Sequence, residues 1–274
     1  MGYQTIVLLI LGIYFFIIGA IFGSFMNMLV YRVNKGENLF GRSYCDFSGK
    51  PLKIIDLIPI FSYIIFRGRC SDCHKKIPLL YLIIELCLAI ISVLVFIKVA
   101  TFVNVINVNL PQIMLYWFLM FLICFIFIFF AYYDYLHWEI DSRSVNISLG
   151  ILIFINVINI FVPLPFLGES SDNFIGGLLL GGFIFLIYRI TSGGGMGEGD
   201  IYLFALTGLS LGIVGGLLAL TVTSVTGSLF GIVKAIIQNK RIKGLKIQLA
   251  PFIALGFLAI FFFKVNILNF LGFI

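Results

Sequence analysis

Charge is what this sequence has least of. Only 11% of its 274 residues are Asp, Glu, Lys or Arg, against 61% hydrophobic, and the mean hydropathy is +1.15. A soluble domain of this length needs a charged surface, so the shortage excludes that class and leaves a polytopic membrane protein. Low-complexity tracts, internal repeats and a nucleotide-binding glycine motif are also missing. No basic stretch precedes the first apolar run, and that run is too long for a cleavable secretory signal, so a retained first helix is expected. The formal net charge is +6. The basic residues are gathered on one side of the apolar segments, which argues for membrane orientation and against a nucleic-acid partner.

What is present is a series of apolar runs. With about 20 residues as the length of one crossing, the sequence predicts an all-α protein of about eight transmembrane helices. They are Ile6–Tyr31, Ile77–Val103, Ile113–Tyr133, Val145–Val162, Phe174–Ile190, Ile201–Val214, Gly216–Ile237 and Pro251–Phe270. The sixth is short and joins the seventh by a glycine-bearing turn. Of 18 Lys and Arg, nine lie from Arg32 to Lys76 and five are Lys234, Lys240, Arg241, Lys243 and Lys246. The positive-inside rule places both groups in the cytoplasm. The loops at 133–144 and 191–200 are then cytoplasmic too. Residues 104–112 lack Lys and Arg, and 163–173 carry Glu169 and Asp172; both fall on the opposite side.

This count brings two carboxylates to one interface. Asp134 closes a helix that runs inward, and Asp200 opens one that runs outward. Asp200 follows Gly193-Gly194-Gly195-Met196-Gly197-Glu198-Gly199. Glycines there let the chain turn and let an extended peptide come close, which singles out Gly197 and Gly199. Two carboxyls that share a proton suit an aspartyl protease. The ionised one activates water, the protonated one donates to the scissile carbonyl, and the roles exchange as the amide leaves. Helix caps or an ion path are the competing readings of the two aspartates. Glu85 and Asn27 lie inside the second and first segments near the same side. Each is a candidate for lining a polar cavity or for bridging helices. His137 reads as a solvated loop residue.

The loop from Arg32 to Lys76 is the largest polar piece and a subdomain of its own. It holds Cys45 and the pair Cys70–Cys73, with Ser48 three residues after Cys45. Three cysteines at this spacing are most of a tetrahedral zinc site, so zinc is a candidate ligand of Cys45, Cys70 and Cys73. A reducing compartment argues against a disulfide. His74 is adjacent to Cys73 and awkwardly placed as a fourth ligand. Cys87 and Cys124 read as small buried hydrophobes. The run Ile60–Phe66 is too short to span and suits an interfacial helix.

Together these motifs resemble the bacterial prepilin peptidases, the type IV leader peptidases of the Gly-x-Gly-Asp membrane aspartyl proteases. The resemblance rests on Gly23-Ser24-Phe25-Met26-Asn27 with Tyr31-Arg32, on Asp56-Leu57-Ile58-Pro59, and on Arg67-Gly68-Arg69-Cys70. Tyr81 through Glu85, Asp134, Met196-Gly197-Glu198-Gly199-Asp200 and Ala250–Gly256 complete it, in this order over nearly the whole chain. Two places depart from the pattern: Ser48 stands where many relatives have a fourth cysteine, and Asp141-Ser142 where many have Pro-Asp. The resemblance implies an enzyme of the bacterial inner membrane with its active site at the cytoplasmic face. It would cut prepilin or pseudopilin leaders after a glycine, with Asp134 and Asp200 as the catalytic pair. It would then methylate the new N-terminal amine with S-adenosylmethionine. Residues 1–103 would carry the methylation-associated part and residues 104–274 a six-helix peptidase core. The alternatives are a presenilin-like or preflagellin-peptidase-like protease and, from another class, a proton-coupled transporter or assembly scaffold.

Overall fold

The computed structural model of the chain describes residues 3–45, 48–102, 110–162, 164, 167–193, 196–238 and 246–270. Gly194, Gly195, Lys240, Arg241 and Lys243 lie outside the described residues. The order is α1 (Tyr3–Lys35), a 3-10 turn (Ile54–Leu57), α2 (Phe61–Ile65), α3 (Leu79–Phe102) and α4 (Leu110–His137). Then come α5 (Ser142–Phe161), α6 (Ser170–Ile190), α7 (Glu198–Ile237) and α8 (Ala250–Phe270). Among the described residues, extended pairing is confined to two isolated bridges, Tyr44 with Pro51 and Arg69 with Lys76. Six helices among the described residues are long and apolar enough to cross a membrane. The protein is an all-α integral membrane protein, as expected.

The 40-residue α7 accounts for two of the expected crossings. A straight helix of that length would run about 60 Å, twice the hydrocarbon core. Gly212 breaks it, with φ 73° and ψ −172°. Beyond the break the chain folds back on itself. A Cβ on Gly216 would lie 3.5 Å from the Cα of Gly208, whereas an unbroken helix would separate these positions by about 12 Å. The break carries its own partners. The Ile213 amide donates to Asp172 Oδ1 at 3.3 Å, and Asn156 Nδ2 donates to the Leu209 carbonyl at 3.0 Å. A Cβ on Gly212 would sit 2.0 Å from Asp172 Oδ2, so glycine is required. The turn expected between Val214 and Gly216 therefore lies at Gly212, because Asp172 reaches the backbone there. The two arms of α7 with α1, α3, α4, α5, α6 and α8 give eight apolar helical segments among the described residues.

The chain forms two compact units, Met1–Phe121 and Leu122–Ile274. In the first, α1 packs on α3 through small residues. A Cβ on Gly19 would meet the Leu88 carbonyl at 2.5 Å, and one on Gly23 the Cα of Glu85 at 2.5 Å. Ser92 Oγ donates to the Phe15 carbonyl at 2.6 Å, and Trp117 Nε1 to the Ser92 carbonyl at 3.0 Å. In the second unit α6 and the first arm of α7 make the same kind of contact. A Cβ on Gly208 would fall 2.3 Å from the Gly176 backbone. Lipid tails offer helices no hydrophobic reason to associate, so close backbone approach and buried hydrogen bonds hold them. Phe127 stacks on Phe257 at 3.8 Å between centroids and joins α4 to α8. Cys124 is buried as expected; Cys87 is exposed on α3, on a face with Ile83, Ile90, Leu94 and Ile97.

Candidate active site

Polar groups gather in each unit. In the second, Asp134 sits in the last turn of α4 and is buried, 7% exposed. Its Oδ2 accepts the backbone amide of Ala250 at 3.2 Å, the first residue of α8. A helix N-terminus presents unpaired amides and a positive dipole end, which suits a carboxylate. Gln248 adds two bonds from the same segment, donating Nε2 to the carbonyls of Asp134 and, at 3.0 Å, Tyr135. The sequence reading did not single out Gln248. Its only signal was a position two residues before the Ala250–Gly256 block.

Asp200 is the third residue of α7 and is 9% exposed. Its Oδ2 accepts the Gly197 amide at 2.9 Å, reaching back to the N-cap residue as an acidic N3 residue does. Asp134 and Asp200 are close enough to feel one another electrostatically. Each carboxylate has one backbone donor through Oδ2. The only ion pair among the described residues is Lys50–Asp72, in the other unit. Neither Asp134 nor Asp200 is paired with a cation among the described residues, and two buried carboxylates near one another do not both carry charge cheaply, so the arrangement favours one ionised and one protonated carboxyl.

The glycines beside Asp200 differ. A Cβ on Gly199 would meet Ile140 at 2.6 to 3.0 Å, so this position seats the loop after α4 against the start of α7. Gly197 has φ −73°, and a Cβ there would make only ordinary contact with Asp200 at 3.4 Å. The nearby Asp141 is a cap: its Oδ2 accepts the Ser144 amide and hydroxyl, both at 2.7 Å, at the start of α5. The His137 ring lies 4.8 Å from that of Tyr133 and is half-buried.

In the first unit, Glu85 and Asn27 are buried. Glu85 Oε2 accepts the Ile60 amide at 2.7 Å, and Asn27 Nδ2 donates to the Tyr81 carbonyl at 3.2 Å. Ile60 has φ 65°, unusual for a β-branched residue, and its amide is held by this bond. Arg32 is 4% exposed. Its guanidinium donates to the carbonyls of Asn38, Leu39, Gly41 and Arg42, from 2.7 to 3.3 Å. The sequence reading counted Arg32 as one positive charge among nine and as part of the Tyr31-Arg32 motif, without a role of its own.

The three loop cysteines come together. Cys45 Sγ lies 3.5 Å from Cys70 Sγ and 3.6 Å from Cys73 Sγ, and all are free thiols. Two matching hairpins carry them. The Cys45 amide donates to Lys50 and the Gly49 amide to Cys45; the Cys70 amide donates to Lys75 and the His74 amide to Cys70. Gly49 and His74 take the corresponding positive φ, 69° and 56°. Ser48 thus stands in the first hairpin where Cys73 stands in the second. Its Oγ is buried beside Asp72 and makes no hydrogen bond of normal geometry. The Lys75 amide favours the Cys73 thiolate, but burial and the two neighbouring thiols outweigh it and push the thiol up. Three free thiols whose sulfur atoms lie within 4.8 Å of one another are a donor set suited to a metal cation. His74 is exposed, serves the turn and is not in the cluster.

Comparison with known proteins adds to this geometry. Residues 17–99 match the family model for the bacterial peptidase A24 N-terminal domain. The chain is 28% identical to a prepilin leader peptidase/N-methyltransferase of Bacillus subtilis, over 93% of this chain and 95% of that one. It is 26% identical to one of Pseudomonas putida, over 89% and 88%, and 29% identical to one of Neisseria gonorrhoeae, over 81% and 80%. No solved structure matches the chain.

Proposed function

From the premise that the chain belongs to the bacterial prepilin leader peptidases, we propose that it cleaves prepilin or pseudopilin leaders after a glycine and methylates the amine it uncovers. The observation that carries the peptidase is the pair of buried carboxylates, on the ends of α4 and α7, electrically coupled and without a paired cation among the described residues. Asp134 and Asp200 are the proposed catalytic residues. One of the two, ionised, takes a proton from a water as that water attacks the scissile carbonyl carbon. The other, protonated, donates to the carbonyl oxygen, and the proton later passes to the leaving amide nitrogen. The Ala250 and Gly197 amides fix the carboxylates through Oδ2, which leaves the remaining oxygens for this work. Gly199 positions Asp200, and Gly197 leaves open backbone beside it for an extended substrate.

The first unit is proposed as the methylation-associated part. Methylation draws on S-adenosylmethionine as the methyl donor. Cys45, Cys70 and Cys73 would hold a zinc ion, with Ser48 at the fourth place of the paired hairpins, and the metal would tie the two hairpins together. The positive loops support a cytoplasmic active face in the bacterial inner membrane, with the bilayer as the surrounding partner and no nucleic acid involved. The test is an intact-mass assay in liposomes with a prepilin whose short basic leader ends in glycine. The expected result is loss of the leader, then gain of one methyl when S-adenosylmethionine is added. An intact substrate with folded enzyme would overturn the reading.

A further inference from the structure

The first unit contains a cavity of about 200 Å³ that the peptidase chemistry does not use. It is formed where α1, the hairpin cysteines, the 3-10 turn with α2, and the start of α3 converge. The carboxylates of Asp56 and Glu85 line it, with Tyr31, Tyr44, Tyr63 and Tyr81. Arg32 also reaches it, but its guanidinium is committed to four backbone carbonyls. The hydroxyl of Tyr44 donates to Glu37 at 2.6 Å and that of Tyr63 to the Ile77 carbonyl at 3.4 Å. What these two add to the wall is aromatic surface.

The Asp56 and Glu85 carboxylates outnumber the one guanidinium, and the rings of Tyr44, Tyr63 and Tyr81 add electron-rich surface. Lys35 Nζ already lies 4.3 Å from the centroid of the Tyr31 ring. The balance favours one positive charge without a large hydration shell. Aromatic faces attract onium groups, and a carboxylate in a partly dry site adds to that attraction. The volume is below that of a site for a whole drug-sized ligand and suits one charged end of a larger molecule. Resting on the methylation reading above, we propose that this cavity binds the onium group of a methylation reactant, with Glu85 as its counter-charge. Two reactants carry such a group: the sulfonium of the methyl donor and the α-ammonium of the processed peptide. Asn27 and the Ile60 amide are the positioning groups, since they fix the Tyr81 backbone and the Glu85 carboxylate.

The test measures binding to the full chain in nanodiscs by calorimetry, without turnover. One pair of probes is S-adenosylmethionine and its product S-adenosylhomocysteine, which keeps the amino-acid zwitterion and lacks the sulfonium methyl and its charge. The other is a leaderless peptide with a free N-terminal phenylalanine and the same peptide acetylated. In one pair the cation binds about tenfold tighter than its neutral counterpart, and that pair identifies the source. Glu85→Gln keeps an acceptor for the Ile60 amide and removes the charge, so it erases most of the preference while leaving the neutral probe's affinity within about twofold. Asp56→Asn shows a smaller loss in the same direction, and carries the test if circular dichroism finds Glu85→Gln unfolded. No cation preference in either pair, or a preference that both variants keep, overturns the proposal. Leader cleavage by the same wild-type preparation is read separately. Cleavage without cation preference rejects this site and leaves the peptidase standing; preference without cleavage does the reverse.

Discussion

Both units bury charge, and they satisfy it differently. In the first, Arg32 is saturated by four carbonyls. These bonds hold a polar loop in one shape. In the second, Asp134 and Asp200 each take one amide through Oδ2, and Asp200 feels the charge of Asp134. A charge with all its bonds made is architecture. A carboxylate held by one oxygen is positioned and still free to react.

The comparison breaks most sharply at the second pair. Asp134→Asn or Asp200→Asn should lower leader cleavage by at least about a thousandfold, since neither half of a shared-proton pair works alone. Asparagine still accepts the Ala250 or Gly197 amide, so the melting temperature should change little. Gly199→Val comes next. Its side chain would meet Ile140, so cleavage should fall by roughly ten- to a hundredfold through displacement of Asp200, and Ile140→Ala should restore part of it. A fall that Ile140→Ala does not relieve would point away from crowding.

The first unit should answer with stability. Arg32→Lys keeps the charge and loses the fork that reaches four carbonyls, at a cost of about 2 kcal/mol or more. Limited proteolysis of residues 32–76 should read this as faster cutting, with leader cleavage less affected. Metal analysis should find zinc in the wild type. Ser48→Cys should hold it about tenfold longer against a chelator, and Cys70→Ser with Cys73→Ser should release it. An unchanged metal content in the double variant would remove zinc from the account. Asp141→Asn should change least, within about 0.5 kcal/mol and with cleavage as in wild type, because asparagine caps as well as aspartate.

The helices and the carboxylate pair were legible because each depends on sequence-local facts. Apolar length marks a crossing, and counting crossings places Asp134 and Asp200 on one side. The position of the α7 break was not legible. Gly212, Gly215 and Gly216 all permit it, and only Asp172, forty residues earlier on α6, decides among them. Gln248 was missed because its partners are main-chain carbonyls, which no residue type announces, and Arg32, quoted in the Tyr31-Arg32 motif, gave no sign of its four carbonyls for the same reason. Asn27 and Glu85 were read as candidates for lining a polar cavity, while the rest of the wall was not legible because it comes from four separate stretches. Ser48 was legible by spacing as the missing fourth ligand, while the matching hairpins that give it that place appear only in three dimensions.

The central claim is the carboxylate pair, and the most direct measurement is a cleavage time course by intact mass in one nanodisc preparation. Wild type, Asp134→Asn, Asp200→Asn and Asp141→Asn are compared after circular dichroism has shown each to be folded. The account predicts leader loss by wild type and Asp141→Asn, and none by the other two. Cleavage at near wild-type rate by folded Asp134→Asn or Asp200→Asn would contradict it.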